Sequence, residues 1–148
     1  MEDTQKTFKR NTLIKLMEDV NDPKVLKDIP SEFRDDKELL LAGIQKIGHD
    51  TLQIAEKSLL SDKDFMIDCV KLNGHVLQYA DDELKKDKEL VLTAVSTSWF
   101  GFSLQFADES LRKDKEVVLA ALKSYSDAID YVDDSLKDDP DVKALVDE

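Results

Sequence analysis

The chain has a single cysteine, Cys69, so no disulfide can form within it. A lone thiol on an apolar helical face reads as a small core residue rather than a reactive group, and it fits an intracellular compartment. With only 4 Gly and 3 Pro in 148 residues, an architecture of many tight hairpins is disfavoured. No apolar run is long enough to span a membrane. The opening Met1-Glu2-Asp3-Thr4 lacks the basic-then-apolar order of a signal peptide. Basic residues are outnumbered, 21 against 33 acidic, for a formal net charge of −12. Such a surface repels phosphate backbones and anionic lipid, so neither nucleic acid nor a membrane is an expected partner.

Signatures of chemistry are also missing. There is no Gly-rich phosphate loop, no His-Glu-x-x-His, no Gly-x-Ser-x-Gly and no Cys with a His base in motif. No Asp-x-Asp-x-Asp-Gly loop offers a calcium site. The expectation is a protein without catalytic residues, metal or cofactor.

What is present is a repeat. Asp36 opens DKELLLAGI, Asp62 opens DKDFMIDCV, Asp87 opens DKELVLTAV and Asp114 opens DKEVVLAAL; Asp139 restarts the pattern. The steps are 26, 25, 27 and 25 residues. Self-similarity at such a period is the signature of a stacked repeat architecture, and 41% hydrophobic residues supply its core despite 36% charged ones. The expected fold is all-α: a solenoid-like stack of short antiparallel helix pairs, about 25 residues per repeat.

Within each unit the opening Asp can accept from the free N–H groups of the first helical turn. A second acid two positions on (Glu38, Asp64, Glu89, Glu116) complements the helix dipole. Apolar residues follow at offsets 3, 4, 5 and 8, and offset 7 is always small: Gly43, Cys69, Ala94, Ala121. Small side chains let helices approach closely. Gly48, Gly74 and Gly101 then mark a turn, where Gly tolerates left-handed geometry; the fourth unit has Ser124-Tyr125-Ser126 instead. A second short helix is expected over Leu52-Gln53-Ile54-Ala55, Leu77-Gln78-Tyr79-Ala80, Leu104-Gln105-Phe106-Ala107 and Ile129-Asp130-Tyr131-Val132. Leu77, Ala80 and Leu84 stand at helical spacing. An acidic segment follows, and the helix is expected to break there into a further single turn.

The ends differ. Phe8, Leu13, Ile14, Met17 and Val20 recur at helical spacing, Asn21-Asp22-Pro23 stops and restarts the chain, and Val25, Leu26 and Ile29 form the next apolar face. Residues 1–35 are expected to be a divergent N-terminal capping repeat, 36–138 four tandem helical repeats, and 139–148 a C-terminal capping helix or the start of a further repeat.

The Asp-Lys-Glu start, the apolar run with Ala, the Gly turn, Leu-Gln-(aromatic)-Ala and the acidic segment ending in Leu and a basic residue recur together. In these features the chain resembles the family of domain of unknown function 4116, well over residues 36–139 and weakly over 22–35. The resemblance implies an all-helical repeat of multi-repeat proteins, some of them bacterial effectors, with no activity, cofactor or catalytic residue attached. It places the chain in a cytoplasm, or in a host cell if it is an effector. The fourth repeat departs at its turn and at Asp130, where the family favours an amide or basic residue.

Aligning the repeats from both ends leaves Trp99-Phe100 as an insertion in the third turn. An aromatic pair in an exposed turn suits a partner anchor; the competing reading folds Trp99 back over the core. His49 and His75 lie in adjacent turns, expected to be close but without a set of about four ligands for zinc. Glu56, Asp82, Glu109 and Asp134 are expected along one edge, as a solvated face or one that attracts a basic peptide. The function expected is a protein-interaction scaffold with a protein partner held at Trp99 and Phe100. The alternative is a structural spacer module of a larger, effector-type protein.

Overall fold

The first N–H groups of a helix need an acceptor from outside it, and an aspartate supplies one each time the repeat restarts. In the computed structural model, which describes residues 1–97 and 102–146, Asp36, Asp62 and Asp87 each accept from the N–H three residues on, at 3.0 Å. Asp114 accepts from Glu116 and Val117, and Asp139 from Asp141 and Val142. The α-helices are α1 (Glu2–Val20), α2 (Lys37–Lys46), α3 (Lys63–Leu72), α4 (Lys88–Thr97), α5 (Glu109–Arg112), α6 (Lys115–Ser124), α7 (Asp134–Lys137) and α8 (Pro140–Val146). The protein is all-α, with no strand among the described residues. No described helix is long and apolar enough to cross a membrane.

The four ten-residue helices bury the same four positions: Leu39, Leu40, Gly43 and Ile44 in α2; Phe65, Met66, Cys69 and Val70 in α3; Leu90, Val91, Ala94 and Val95 in α4; Val117, Val118, Ala121 and Leu122 in α6. These offsets occupy one face of a helix with 3.6 residues per turn. The small residue at the third position is buried every time, as its size leads one to expect. Helices pack on their successors: α1 on α2, α2 on α3, α3 on α4, α4 on α6 and α6 on α8.

The segment after each long helix differs from the expected α-helix. It is a 3-10 helix: His49–Ile54, Gly74–Tyr79, Phe102–Phe106 and Ser126–Tyr131. With three residues per turn, positions three apart eclipse one another, so Leu77 and the following Ala80 fall on one buried face. Ala80 is already out of the helix (ψ 149°), its N–H bonded to the Leu77 carbonyl. Leu84 returns to the core side because the chain breaks and restarts, with Asp81 accepting from the Leu84 N–H at 2.9 Å. Each unit therefore has three helical pieces rather than two. The third is Lys57–Ser61 or Leu84–Lys86 as a 3-10 helix, and α5 or α7 in the last two units.

Of the turn glycines, Gly48 is left-handed at φ 113° as expected. Gly74 is not; it is required for space, because a Cβ there would overlap the Ala94 carbonyl oxygen and lie 2.8 Å from Ser103 Oγ. Gly101 lies outside the described residues.

Two bonding patterns tie one unit to the next. Just after each 3-10 segment, following Ala55, Ala80, Ala107 or Val132, the N–H of Glu56, Asp81, Asp108 or Asp133 donates back to the carbonyl of Arg34, Leu60, Lys85 or Arg112, at 2.8–3.1 Å. At the other end of the unit, the Lys beside each capping Asp reaches the capping Asp of the next unit. Lys37 bonds Asp62 (2.6 Å), Lys63 bonds Asp87 and Glu89, Lys88 bonds Asp114 and Glu116, and Lys115 bonds Asp139 and Asp141. The second acid of the motif thus receives a cation from the preceding unit at Glu89, Glu116 and Asp141, besides facing a helix dipole, whereas Lys37 reaches Asp62 and not Asp64. Pro140 stands where the next Lys would be.

The N-terminal segment departs in its first helix only. Asn21 ends α1 in the left-handed conformation (φ 44°) and Asp22 caps the 3-10 helix Pro23–Asp28. Val25, Leu26, Ile29 and Phe33 are buried, matching the positions of Thr51, Leu52, Ala55 and Leu59 in the next unit. In α1 the expected apolar face holds only in part. Met17 is fully buried, Leu13 and Ile14 are packed against the core, and Phe8 and Val20 are 72% and 48% exposed. Arg10 supplies the cation that Lys supplies elsewhere, 2.7 Å from Glu38 and 3.7 Å from Asp36.

Candidate functional site

The 3-10 geometry sorts side chains into three rows. Relative to the core Leu or Ile of each segment, positions 0 and +3 share one face, −1 and +2 a second, and −2 and +1 a third. The first face is core: Leu52, Leu77, Leu104, with Ala80, Ala107 and Val132. Position −1 is fully buried as Thr51, Val76, Ser103 and Ala128, while +2 is half-buried as Ile54, Tyr79, Phe106 and Tyr131. Position −2 reads Asp50, His75, Phe102, Asp127 along successive units; the first three are half-buried and Asp127 is exposed. The pairing of −2 with +1 is visible where Gln53 donates to Asp50 at 2.9 Å.

His75 and Phe102, both at position −2, continue on either side into His49 and Tyr125, which precede their own segments' rows, so that rings from four units adjoin in turn. The His49 and His75 centroids are 5.6 Å apart, His75 and Phe102 6.1 Å, and Phe102 and Tyr125 5.9 Å. Phe106 sits beside His75 at 6.2 Å and Tyr131 beside Phe102 at 6.1 Å, both edge to face. Edge-to-face pairs set a positive ring edge on a negative ring face and are favourable beyond their area. At one end the Tyr79 hydroxyl donates to Asp50 at 3.0 Å and accepts from Gln53 at 3.2 Å. At the other, Tyr125 is hydrogen-bonded to Asp127.

The electrostatics follow from this packing. Burial lowers the His75 pKa from its ordinary value, and neighbouring His49 lowers it further, so the His75 ring is neutral at pH 7. Burial raises the Tyr79 phenol; the Gln53 bond opposes that and Asp50 adds to it. The bond to Asp127 raises the Tyr125 phenol. The line of rings thus has a carboxylate at each end, Asp50 beside Tyr79 and Asp127 beside Tyr125.

The other sequence candidates fall elsewhere. Trp99 and Phe100 lie outside the described residues, between Thr97 and Phe102, which are described. His49 and His75 are close, as expected, but no group of three or more metal-ligating side chains occurs among the described residues. The four-acid edge mixes two registers. Glu56 aligns by its backbone bond with Asp81, Asp108 and Asp133, whereas Asp82, Glu109 and Asp134 are the next position, where the first unit has Lys57. Those three are exposed and each faces a nearby lysine of its own unit, Lys85, Lys113 or Lys137. Cys69 is fully buried, and burial pushes its pKa up to about 12, with Asp68 and Asp62 adding to the effect. A thiol so placed is no nucleophile at neutral pH. The ring line itself was missed in the sequence. His75 and Phe102 stand two residues before a core Leu, but His49 stands three before Leu52 and Tyr125 four before Ile129, so no single sequence column carries all four rings.

The fold and this strip define a class: an all-α protein of tandem units of about 25 residues with an aromatic edge. The family model described as Domain of unknown function (DUF4116) matches residues 62–100 and again 87–137, and the chain belongs to that family. No curated protein and no solved structure matches it.

Proposed function

We propose that the chain is a solenoid-like interaction scaffold: a capping segment to residue 35, four repeats over 36–138, and a closing helix from 139. The support for the stack is that each unit bonds its successor through the same two links, Lys to capping Asp and N–H to carbonyl. A frame of this kind holds side chains of successive units in fixed rows and presents an extended face. The observation that carries the binding role is the line of half-buried rings from His49 to Tyr125, unbroken across four units. Aromatic residues with polar tips are favoured at protein interfaces. Trp99 and Phe100, the aromatic insertion read in the sequence, are the proposed partner anchor.

The test is affinity capture of protein partners on the full chain and on Trp99→Ala plus Phe100→Ala, at matched thermal stability. A partner that depends on the anchor is expected to fall at least about tenfold, the loss of one or two strong hot-spot contacts. Equal recovery by both proteins removes the anchor, and no partner at all points to a spacer within a larger protein.

A further inference from the structure

Resting on the scaffold reading, the chemistry of the edge narrows the partner. Consecutive rings are 5.6, 6.1 and 5.9 Å apart. Alternate side chains of an extended peptide lie on one side at about 6.6 Å, twice the rise per residue. An extended segment laid across the units therefore meets one ring with every second side chain. A helical segment, whose neighbours on a face are three and four residues apart, does not keep that step.

Charge decides what those side chains are. Aromatic faces attract cations and repel anions. The ring line ends in Asp50 and Asp127, each already oriented by a tyrosine hydroxyl, and Asp50 also accepts from Gln53. The chain as a whole carries a formal charge of −12, which draws a cationic segment in and keeps an acidic one away. Between the two cations, arginine suits the site better. Its planar guanidinium stacks on rings and pairs with a carboxylate through two parallel N–H groups, whereas lysine offers a strongly hydrated point charge.

We propose that the line His49–His75–Phe102–Tyr125, with Asp50 and Asp127 at its ends, binds an extended protein segment carrying arginine at alternate positions. The rings take the guanidinium stacks and the two carboxylates fix the ends, so register is set by the repeat spacing.

The test uses the full chain and three labelled peptides: alternating arginine and glycine, alternating lysine and glycine, and alternating glutamate and glycine. Affinity is read by fluorescence anisotropy and location by amide chemical shifts. The arginine peptide is expected to bind most tightly, with shifts centred on residues 49–53, 75–79, 102–106 and 125–131. Phe102→Leu, which keeps apolar volume but removes a ring, should weaken binding about three- to tenfold; Phe102→Tyr should retain it. Asp50→Asn with Asp127→Asn should weaken it more at low salt than at high salt. Asp82→Asn with Asp134→Asn, which removes the same charge at positions outside the ring line, should leave the affinity within about twofold, the scale of a screened surface charge. Three peptide results overturn the proposal: no binding of the arginine peptide, equal binding of the lysine peptide with no effect of Phe102→Leu, or loss of binding through Asp82 and Asp134. A protein partner that is captured but shifts none of these amides overturns this inference alone. The scaffold reading falls separately, with a failure to capture any partner.

Discussion

Helix α1 and the four ten-residue helices begin comparable units but are not built alike. α1 has 19 residues and one fully buried side chain, Met17, while Phe8 and Val20 stand in solvent. Each shorter helix buries four residues at the same four offsets. An inner helix is covered by neighbours on both sides, whereas α1 has α2 on one side, so a narrower apolar face suffices. Yet α1 keeps the cation that reaches the next cap, as Arg10, and its trailing 3-10 segment keeps the buried Leu-x-x-Ile pair. The conserved part of the unit is therefore the joint between units, and helix length and face width are free to vary.

The sharpest way to break that comparison is to truncate one leucine in each region. Leu90→Ala, in the fully buried row of α4, should cost about 2–5 kcal/mol, the range for large cavities in packed cores. Leu16→Ala, at a 39% exposed site on α1, should stay within about 0.5 kcal/mol. Urea unfolding of both variants measures the difference, and similar losses would show α1 to be as tightly packed as the interior.

Next in size are the two glycines that occupy turns for different reasons. Gly74→Ala sets a methyl against the Ala94 backbone carbonyl, which cannot swing away as a side chain can. A loss of about 1–3 kcal/mol is expected from such overpacking. Gly48→Ala meets no atom within 4 Å, but φ 113° with ψ −166° is backbone that glycine alone adopts readily, so a loss of about 1–3 kcal/mol is expected from strain and not from crowding. No loss at Gly74 would remove the assignment of steric crowding there.

Cutting the joint itself should have a smaller effect, and one that depends on salt. Lys88→Met removes the cation that pairs with both Asp114 and Glu116 of the next unit, and Arg10→Met removes the corresponding link from α1. Both should lower the melting temperature slightly at low ionic strength and hardly at all at high, since exposed ion pairs are screened. A loss independent of salt would mean that the stems of these side chains matter through packing instead.

The smallest expected effect belongs to His75. Its folded pKa is lowered by burial and by His49, so the unfolded chain binds the proton first. Stability is then complete above the ordinary pKa of about 6.5 and falls as pH drops from there toward the folded value. The groups facing this ring are His49, Phe102 and Phe106. His75→Phe should flatten the melting temperature as pH falls below about 6.5. The carboxylates held low by lysine, such as Asp62 and Asp114, act in a separate window, losing their contribution only as pH falls below about 4.

Much of the frame was legible because it depends on residues near one another in sequence. The caps at Asp36, Asp62, Asp87 and Asp114, the buried small residue at the third core position and the stop at Asn21 are local events with local signals. The 3-10 character of the second segment was not legible, since Leu77 and Ala80 are three apart in either helix type and only the backbone bond to Leu77 distinguishes them. Gly74 was misread for a related reason: left-handed turns and close contacts both favour glycine, and the Ala94 carbonyl that crowds it comes from another unit. Of the site, His49 and His75 were singled out, but their continuation through Phe102 to Tyr125 depends on how units sit side by side.

By itself, then, the order of residues determined where helices start, which face of each is apolar, and that one unit recurs about every 25 residues. These follow from hydrogen bonds and periodicities that span at most a few turns. The tertiary structure alone decided that the lysine of one unit serves the cap of the next, and that rings from four units form one line. Both depend on side chains some 23 to 27 residues apart meeting across an interface, and the relative placement of two units has no local signal to announce it.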